Sequence, residues 1–305
     1  MALSSLKLVQ IGDIHFPESS TEAVSDVKDG GFPSAVAEKI SLRPLQCVMR
    51  ALAKELESQP QAILFCGDLT SKGNVSGYGA CLRYLKDLIN FKRWKAKNIH
   101  AVPGNHDVDR SKIDPAGKDL FGKFEPFSQL WRDSGLPILA VESCRTTRIA
   151  LHKHKDSGVH VFSLNSSLGC GEKRFLPPEI ADNLERILKE YELKVGKPAA
   201  FPLLGETLDT PAFDQNTVNG LCDSIRALST ANIPIVVAHH NILPQALPRL
   251  AMYTETINAG IVRSRLSHLQ RPVLYCHGHI HDYPLEVIHE PEYMGSRLVC
   301  ISASK

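Results

Sequence analysis

Much that would place a chain quickly is missing from this one. None of its 8 cysteines forms a Cys-x-x-Cys pair, so no ready zinc or dithiol motif is present. Cys66, Cys276 and Cys300 fall inside apolar runs and read as packed thiols, which suits a reducing compartment. Met1-Ala2-Leu3-Ser4-Ser5 lacks the apolar core of a signal peptide, and no later apolar run reaches membrane-spanning length. Both absences point to the cytoplasm. A formal net charge of +2 provides no polybasic tail or membrane anchor, and no internal repeat is visible. With 43% hydrophobic and 22% charged residues in 305, what is left is a globular chain with a sizeable core.

What the chain does have lies at the ends of its strands. Pro103-Gly104-Asn105-His106-Asp107 follows the apolar run 98–102, which Pro-Gly stops abruptly. An amide, an imidazole and a carboxylate thus gather at a strand's C-terminal end, where open α/β sheets bind their ligands. Other runs end alike: 6–11 in Gly12-Asp13-Ile14-His15, 62–66 in Gly67-Asp68, 234–238 in His239-His240-Asn241, and 272–276 in His277-Gly278-His279-Ile280-His281. A polar turn explains any one of them; together they imply a shared site. One residue separates Asp13 from His15, and His279 from His281, so an extended backbone sends each pair to one side. Carboxylate, amide oxygen and imidazole without thiolate suit two hard or borderline divalent ions. Asp68, alone after its Gly, is the candidate carboxylate between them.

The order Asp-x-His, Gly-Asp, Gly-Asn-His-Asp, His, Gly-His-x-His, running from Asp13 to His281, resembles the calcineurin-like metallophosphoesterase superfamily of phosphatases, phosphodiesterases and nucleases. The resemblance implies an α/β fold, a sandwich of two mixed β-sheets flanked by helices. It implies two divalent metal ions, Mn2+ foremost, with Fe or Zn2+ as alternatives. Asp13, His15, Asp68 and His281 would hold one ion, and Asp68, Asn105, His239 and His279 the other. A hydroxide bridging the ions would be the nucleophile. His106 would be the general acid, or a stabiliser of phosphoryl charge, with Asp107 orienting its ring. In the superfamily's fourth block the first His of such a pair ligates and Pro follows soon after, whereas here Pro244 comes late. His239 is therefore favoured as the ligand, with His240 lining the pocket, and the choice between them stays open. His277 and His100 read as structural or as supports behind the ligands.

Because the blocks span the chain, it reads as a single domain, residues 1–305, with insertions at about 17–41, 108–135 and 169–211. Helical spacing predicts helices over 42–56, 78–91, 120–131, 177–191 and 216–228, the third forming a wall or lid over the metals. Runs at 159–164, 285–288 and 297–301 are expected to build a second sheet. The chain stops just past a strand, which reads as the N-terminal part of a longer protein with C-terminal domains beyond it.

Arg110, close behind the Gly-Asn-His-Asp block, is the candidate phosphate contact. The basic run Arg145, Arg148, His152, Lys153, His154, Lys155 reads as a solvated face. Gly67-Asp68-Leu69-Thr70 lacks the Asp-Arg-Gly extension of protein phosphatases. The expectation is a phosphodiesterase acting on nucleotides or single-stranded nucleic acid, with no membrane partner. A phosphomonoesterase or protein phosphatase is the alternative, and a non-catalytic scaffold of the same fold the remaining one.

Overall fold

The structure, a computed structural model, describes residues 6–15, 61–71, 73, 75, 77–79, 81–82, 98–114, 118–134, 150–154, 157–172, 176–195, 209–243, 255–280, 285–289 and 297–303. The expected helix 42–56, the insertion 17–41 and the expected ligand His281 lie outside these residues. So does most of 78–91, of which residues 78, 79, 81 and 82 are helical.

Strands β1 (Lys7–Ile11), β2 (Gln61–Phe65) and β3 (Ile99–Ala101) pair in parallel in that order. The second sheet is mixed and runs β4 (Ala150–His154), β5 (Val159–Ser163), β6 (Ile233–Val237), β7 (Pro272–His277), β9 (Arg297–Ser302), β8 (Leu285–His289). Its inner strands β5, β6, β7 and β9 are parallel, while β4 and β8 close the edges antiparallel. The chain therefore adopts the two-sheet α/β architecture that its strand pattern implies. Strand β4 falls within the basic run read above as a solvated face.

Alternation along the strands builds the layers. On β2 and just beyond it, Ile63 and Phe65 face one cluster and Leu64 and Cys66 another. Around β6 the same split separates Val236 and Ala238 from Ile235 and Val237. Leu64, Cys66 and Val102 from the first sheet meet Val161, Ile235, Val237 and Cys276 from the second, so this shared cluster is the sandwich interior. Both faces of β2 are covered, which is why its sequence is an unbroken apolar run rather than an alternating one. Gln10 ties the sheets together, its Nε2 donating to His277 O at 2.8 Å and Ile301 O at 3.0 Å.

Helices cover the outer faces. Helix α1 (Glu125–Asp133) packs on the first sheet, α2 (Pro178–Val195) follows β5, and α3 (Gln215–Arg226) and α4 (Ala259–Ser267) pack on the second sheet. Asp214 caps α3 by accepting from Thr217 N at 3.0 Å, and Val218, Leu221, Cys222 and Ile225 make its buried stripe. Helix α4 has little signal in the sequence. Its buried residues Ala259, Val262 and Leu266 are sparse, and the Asn258 side chain at its N-cap pairs with the Phe213 backbone instead of capping the helix, so both usual signals are weak.

Helix α1 is not a lid. Phe127, Leu130 and Trp131 are buried, with the Trp131 ring 5.9 Å from that of Phe65 on β2. Burying each such side chain stabilises by about 1.5–3 kcal/mol, too much for an element that must lift away. Before the helix, the Lys123 ammonium is buried and donates to Leu168 O, Cys170 O and Glu172 Oε1 at 2.7–2.9 Å. This holds the segment to the loop after β5. Among the described residues no helix is long and apolar enough to cross a membrane. The six described cysteines are buried free thiols.

Candidate metal centre

The five polar strand ends converge. β1, β2, β3, β6 and β7 each deliver donors just past their C-terminal ends, and backbone hydrogen bonds lash those ends together. Asp13 N donates to Gly67 O at 3.0 Å, His15 N to Asp68 O at 2.9 Å, and Gly278 N to His239 O at 2.9 Å. Asp13, His15, Asp68, His106, His239, His240 and His279 form three overlapping groups, in each of which one ligand atom per residue lies within 4.8 Å of the others.

The geometry at Asp13 and His15 differs from the extended segment expected. Asp13 (φ 57°), His15 (φ 52°), Asp68 (φ 53°) and His279 (φ 62°) are left-handed, and only Gln270 joins them among described non-glycine residues. Such backbone costs on the order of 1 kcal/mol or more per residue and gathers at functional sites. Here it turns the chain back immediately after each strand, so that donors from neighbouring strands point inward. Two glycines permit the close approach. A Cβ on Gly104 would stand 2.0 Å from Asp68 Oδ1, and one on Gly278 would stand 2.6 Å from Asp13 Oδ2.

Around Asp68 the lone pairs crowd. His239 Nδ1 lies 2.7 Å from Cys66 O; a carbonyl only accepts, so Nδ1 carries a hydrogen, and in the neutral ring Nε2 has the lone pair. That Nε2 is 3.0 Å from Asn105 Oδ1 and 3.3 Å from Asp68 Oδ2, with His15 Nε2 3.8 Å from the same carboxylate oxygen. Three electron-pair donors facing one another call for a cation between them, and the set of one carboxylate, one amide oxygen and one imidazole is what a divalent ion takes. The electrostatics of the chain agree. Burial works to raise the Asp68 carboxyl, but the imidazoles of His239, His106 and His15 outweigh it and hold it well below the usual range. Burial works to lower His239, and Asp68 overrides it to push the imidazole up to about 9, so that without an ion a proton on Nε2 takes the cation's place.

The adjacent pair at the end of β6 separates by tautomer. Ser166 Oγ accepts from the backbone N–H of both His239 and His240, at 3.2 and 3.1 Å, which fills its two lone pairs. Its own hydrogen then goes to His240 Nδ1 at 2.9 Å, leaving the His240 ring proton on Nε2. So a neutral His239 presents a lone pair to the cluster, and His240 an N–H that has no hydrogen-bond partner among the described residues. His240 is fully buried rather than lining an open pocket, and burial holds its pKa well below the ordinary value, with His239 and His279 adding to that. Burial likewise carries His279 down to about 3, the neutral state that ligation needs.

His106 stands apart as the exposed member. Its Nδ1 is 2.9 Å from Ser71 O, and its ring meets that of His15 edge-on at 4.8 Å. Burial lowers its pKa, but Asp68 and the Ser71 carbonyl raise it on balance. Asp107 does not orient the His106 ring as expected. Its buried carboxylate accepts from Leu69 N, Thr70 N, Thr70 Oγ1 and Gly104 N at 2.9–3.2 Å, so it clamps the ends of β2 and β3 together. Burial first, then the Asp68 charge, push it up to about 6. His100 and His277 are buried in strands, in keeping with structural roles.

Arg110 also has another engagement. Its Nη2 lies 2.6 Å from Asp209 Oδ1, and Asp209 Oδ2 accepts from Asn105 Nδ2 at 3.0 Å. Sequence reasoning misses both Asp209 and Ser166. Ser166 had a signal, since Asn165-Ser166-Ser167 is one more polar stretch just past a strand. Asp209 had none.

A family model described as calcineurin-like phosphoesterase matches residues 6–283. The chain belongs to this family. Among solved structures, a phosphopantetheinyl hydrolase from Mycobacterium tuberculosis is 14% identical at a TM-score of 0.46, covering 99% of this chain and 91% of that one. A Staphylococcus aureus protein assigned as a 5'-nucleotidase, in complex with alpha-ketoglutarate, is 10% identical at 0.49, covering 98% of this chain and 48% of its own. No curated protein matches. As a calcineurin-like phosphoesterase the chain sits in a family of phosphate-ester hydrolases that use divalent metals, and its clustered His and Asp side chains are candidate ligands for them.

Proposed function

We propose that this chain is a binuclear metal-dependent phosphodiesterase acting on nucleotides or single-stranded nucleic acid ends. The observation that carries the metal reading is the convergence of the Asp68, Asn105 and His239 lone pairs on one point. Asp13, His15 and Asp68, with His281, would hold one ion; Asp68, Asn105, His239 and His279 would hold the other. When bound, two divalent cations supply Lewis acidity at the phosphoryl oxygens and a nucleophile near neutral pH. The chain's own residues do the rest. Asp68 faces both halves, His106 holds a proton for the leaving oxygen, and Asp107 fixes the loop that carries both Asn105 and His106. Cys66 and Cys276 are buried, and burial pushes Cys66 well above its ordinary value and Cys276 up to about 12, which disfavours a thiolate at either.

The preference for a diester rests on charge. Arg110, the cation best placed for an extra phosphate oxygen, already faces Asp209. Among the described residues the proposed ions then supply the positive charge at the phosphoryl group, which the single charge of a diester matches, whereas the near-double charge of a monoester gains more from an added cation. The buried free thiols fit a cytoplasmic setting. Reconstitution with Mn2+ should give two ions per chain, and bis-p-nitrophenyl phosphate should turn over well above p-nitrophenyl phosphate. A panel of cyclic nucleotides, single-stranded and duplex DNA and RNA, and phosphomonoesters then locates the substrate. Turnover of monoesters alone replaces this reading with a phosphatase; less than one ion per chain, with no turnover, replaces it with a scaffold.

The tautomers of the β6 pair give a further test of the ligand set. His239→Phe should cost an ion, whereas His240→Phe should retain both, as metal analysis of the purified variants would report. The opposite pattern would exchange their roles.

A further inference from the structure

Asn105 can serve a cation only with its amide oxygen turned inward, and its immediate neighbour does not favour that orientation. His239 Nε2 lies 3.0 Å from the amide; in the neutral ring that a cation needs, its lone pair would accept from an NH2 group, so it does not hold the oxygen inward. What opposes the flip lies on the other side. Asp209 Oδ2 is 3.0 Å from Asn105 Nδ2, and a carboxylate accepts only, so a flipped amide would set oxygen against oxygen. Arg110 Nη2, 2.6 Å from Asp209 Oδ1, holds that carboxylate in place. The backbone beneath it is fixed. Thr210 Oγ1 donates to Gly169 O at 2.5 Å, and Ala212 N donates to Ser166 O at 2.9 Å.

We propose that Asp209, held by Arg110, is the positioning residue that sets the amide direction of Asn105 and so builds one of the two cation sites. This rests on the metal reading proposed above. It also gives Arg110 a task other than substrate contact: its charge serves the site through Asp209. Oriented by a partner of this kind, a metal ligand loses about 10–100-fold in affinity when the partner goes.

The test is calorimetric Mn2+ titration of the full chain. Asp209→Ala should weaken one ion by about 10–100-fold while the other stays within about twofold. Asp209→Asn, which keeps the shape and so guards against misfolding, should act in the same direction, since its own amide can rotate to donate to a flipped Asn105. Asn105→Ala should weaken the same ion, and adding Asp209→Ala to it should change nothing more, because the two act as one unit. Unchanged affinity in both Asp209 variants overturns the inference. So does a loss shared equally by both ions, or one that persists at full size in the Asn105→Ala background, since either marks general support of the fold. If Asn105→Ala itself leaves both ions in place, the ligand assignment of Asn105 is what fails.

Discussion

Asp68→Asn is expected to lower kcat on the order of a thousandfold and to weaken both ions, because several kcal/mol of metal-dependent stabilisation runs through this one carboxylate. Asp68 Oδ1 accepts from His106 N at 2.9 Å, while Oδ2 faces His239 Nε2 at 3.3 Å and His15 Nε2 at 3.8 Å. An asparagine would keep its oxygen on the His106 N–H and turn its NH2 toward the two histidines. Hydrogens would then occupy the position where a cation needs lone pairs, and the negative charge shared by both ions would be gone. The substitution is chosen so that folding is not what changes. Asp68 is left-handed at φ 53°, and Asn tolerates that region as well as Asp does. Thermal melting of the metal-free variant should therefore stay close to that of the metal-free parent while Mn2+ calorimetry and turnover of bis-p-nitrophenyl phosphate both collapse. A variant that keeps two ions and a tenth of the parent's activity would remove Asp68 from its bridging role.

The strand ends were legible because their chemistry is local. Asp13, Asp68, Asn105, His239 and His279 each directly follow a run whose composition already says buried strand, and the sandwich brings those runs side by side. The layers were legible for the same reason, as alternation on β6 and unbroken apolarity on β2 follow from what covers each face. What sequence could not carry is of two kinds. One is backbone handedness: nothing in Asp-x-His distinguishes an extended segment from the left-handed turns at Asp13 and His15, because tertiary packing sustains the strain. The other is partnership across long distances. Asp209 meets Asn105 from 104 positions away, and Asp107, adjacent to His106, bonds instead to the β2 loop 37–38 positions back. Proximity in sequence suggested that Asp107 serves the imidazole, yet four hydrogen-bond donors on the neighbouring loops claim it.

His106→Ala should cost about 10²–10⁴ in kcat, the range for a general acid, while both ions remain bound. The ring is exposed at the mouth of the cluster, so its removal leaves no buried hole. Its Nδ1 hydrogen is committed to Ser71 O at 2.9 Å, which fixes the ring and leaves Nε2 as the nitrogen able to pass a proton. If that proton goes to the leaving oxygen, the size of the loss depends on the leaving group. An alkoxide from a dinucleotide cannot depart without a proton and should show the full loss. A p-nitrophenolate is stable as an anion and should show little. Equal losses on both substrates would mean that His106 stabilises charge on the phosphoryl group rather than donating a proton. Loss of an ion from the variant would instead make His106 a ligand in the group it forms with His15 and Asp68. Turnover of the two substrates and metal content of the same preparation therefore separate the three roles that its position allows.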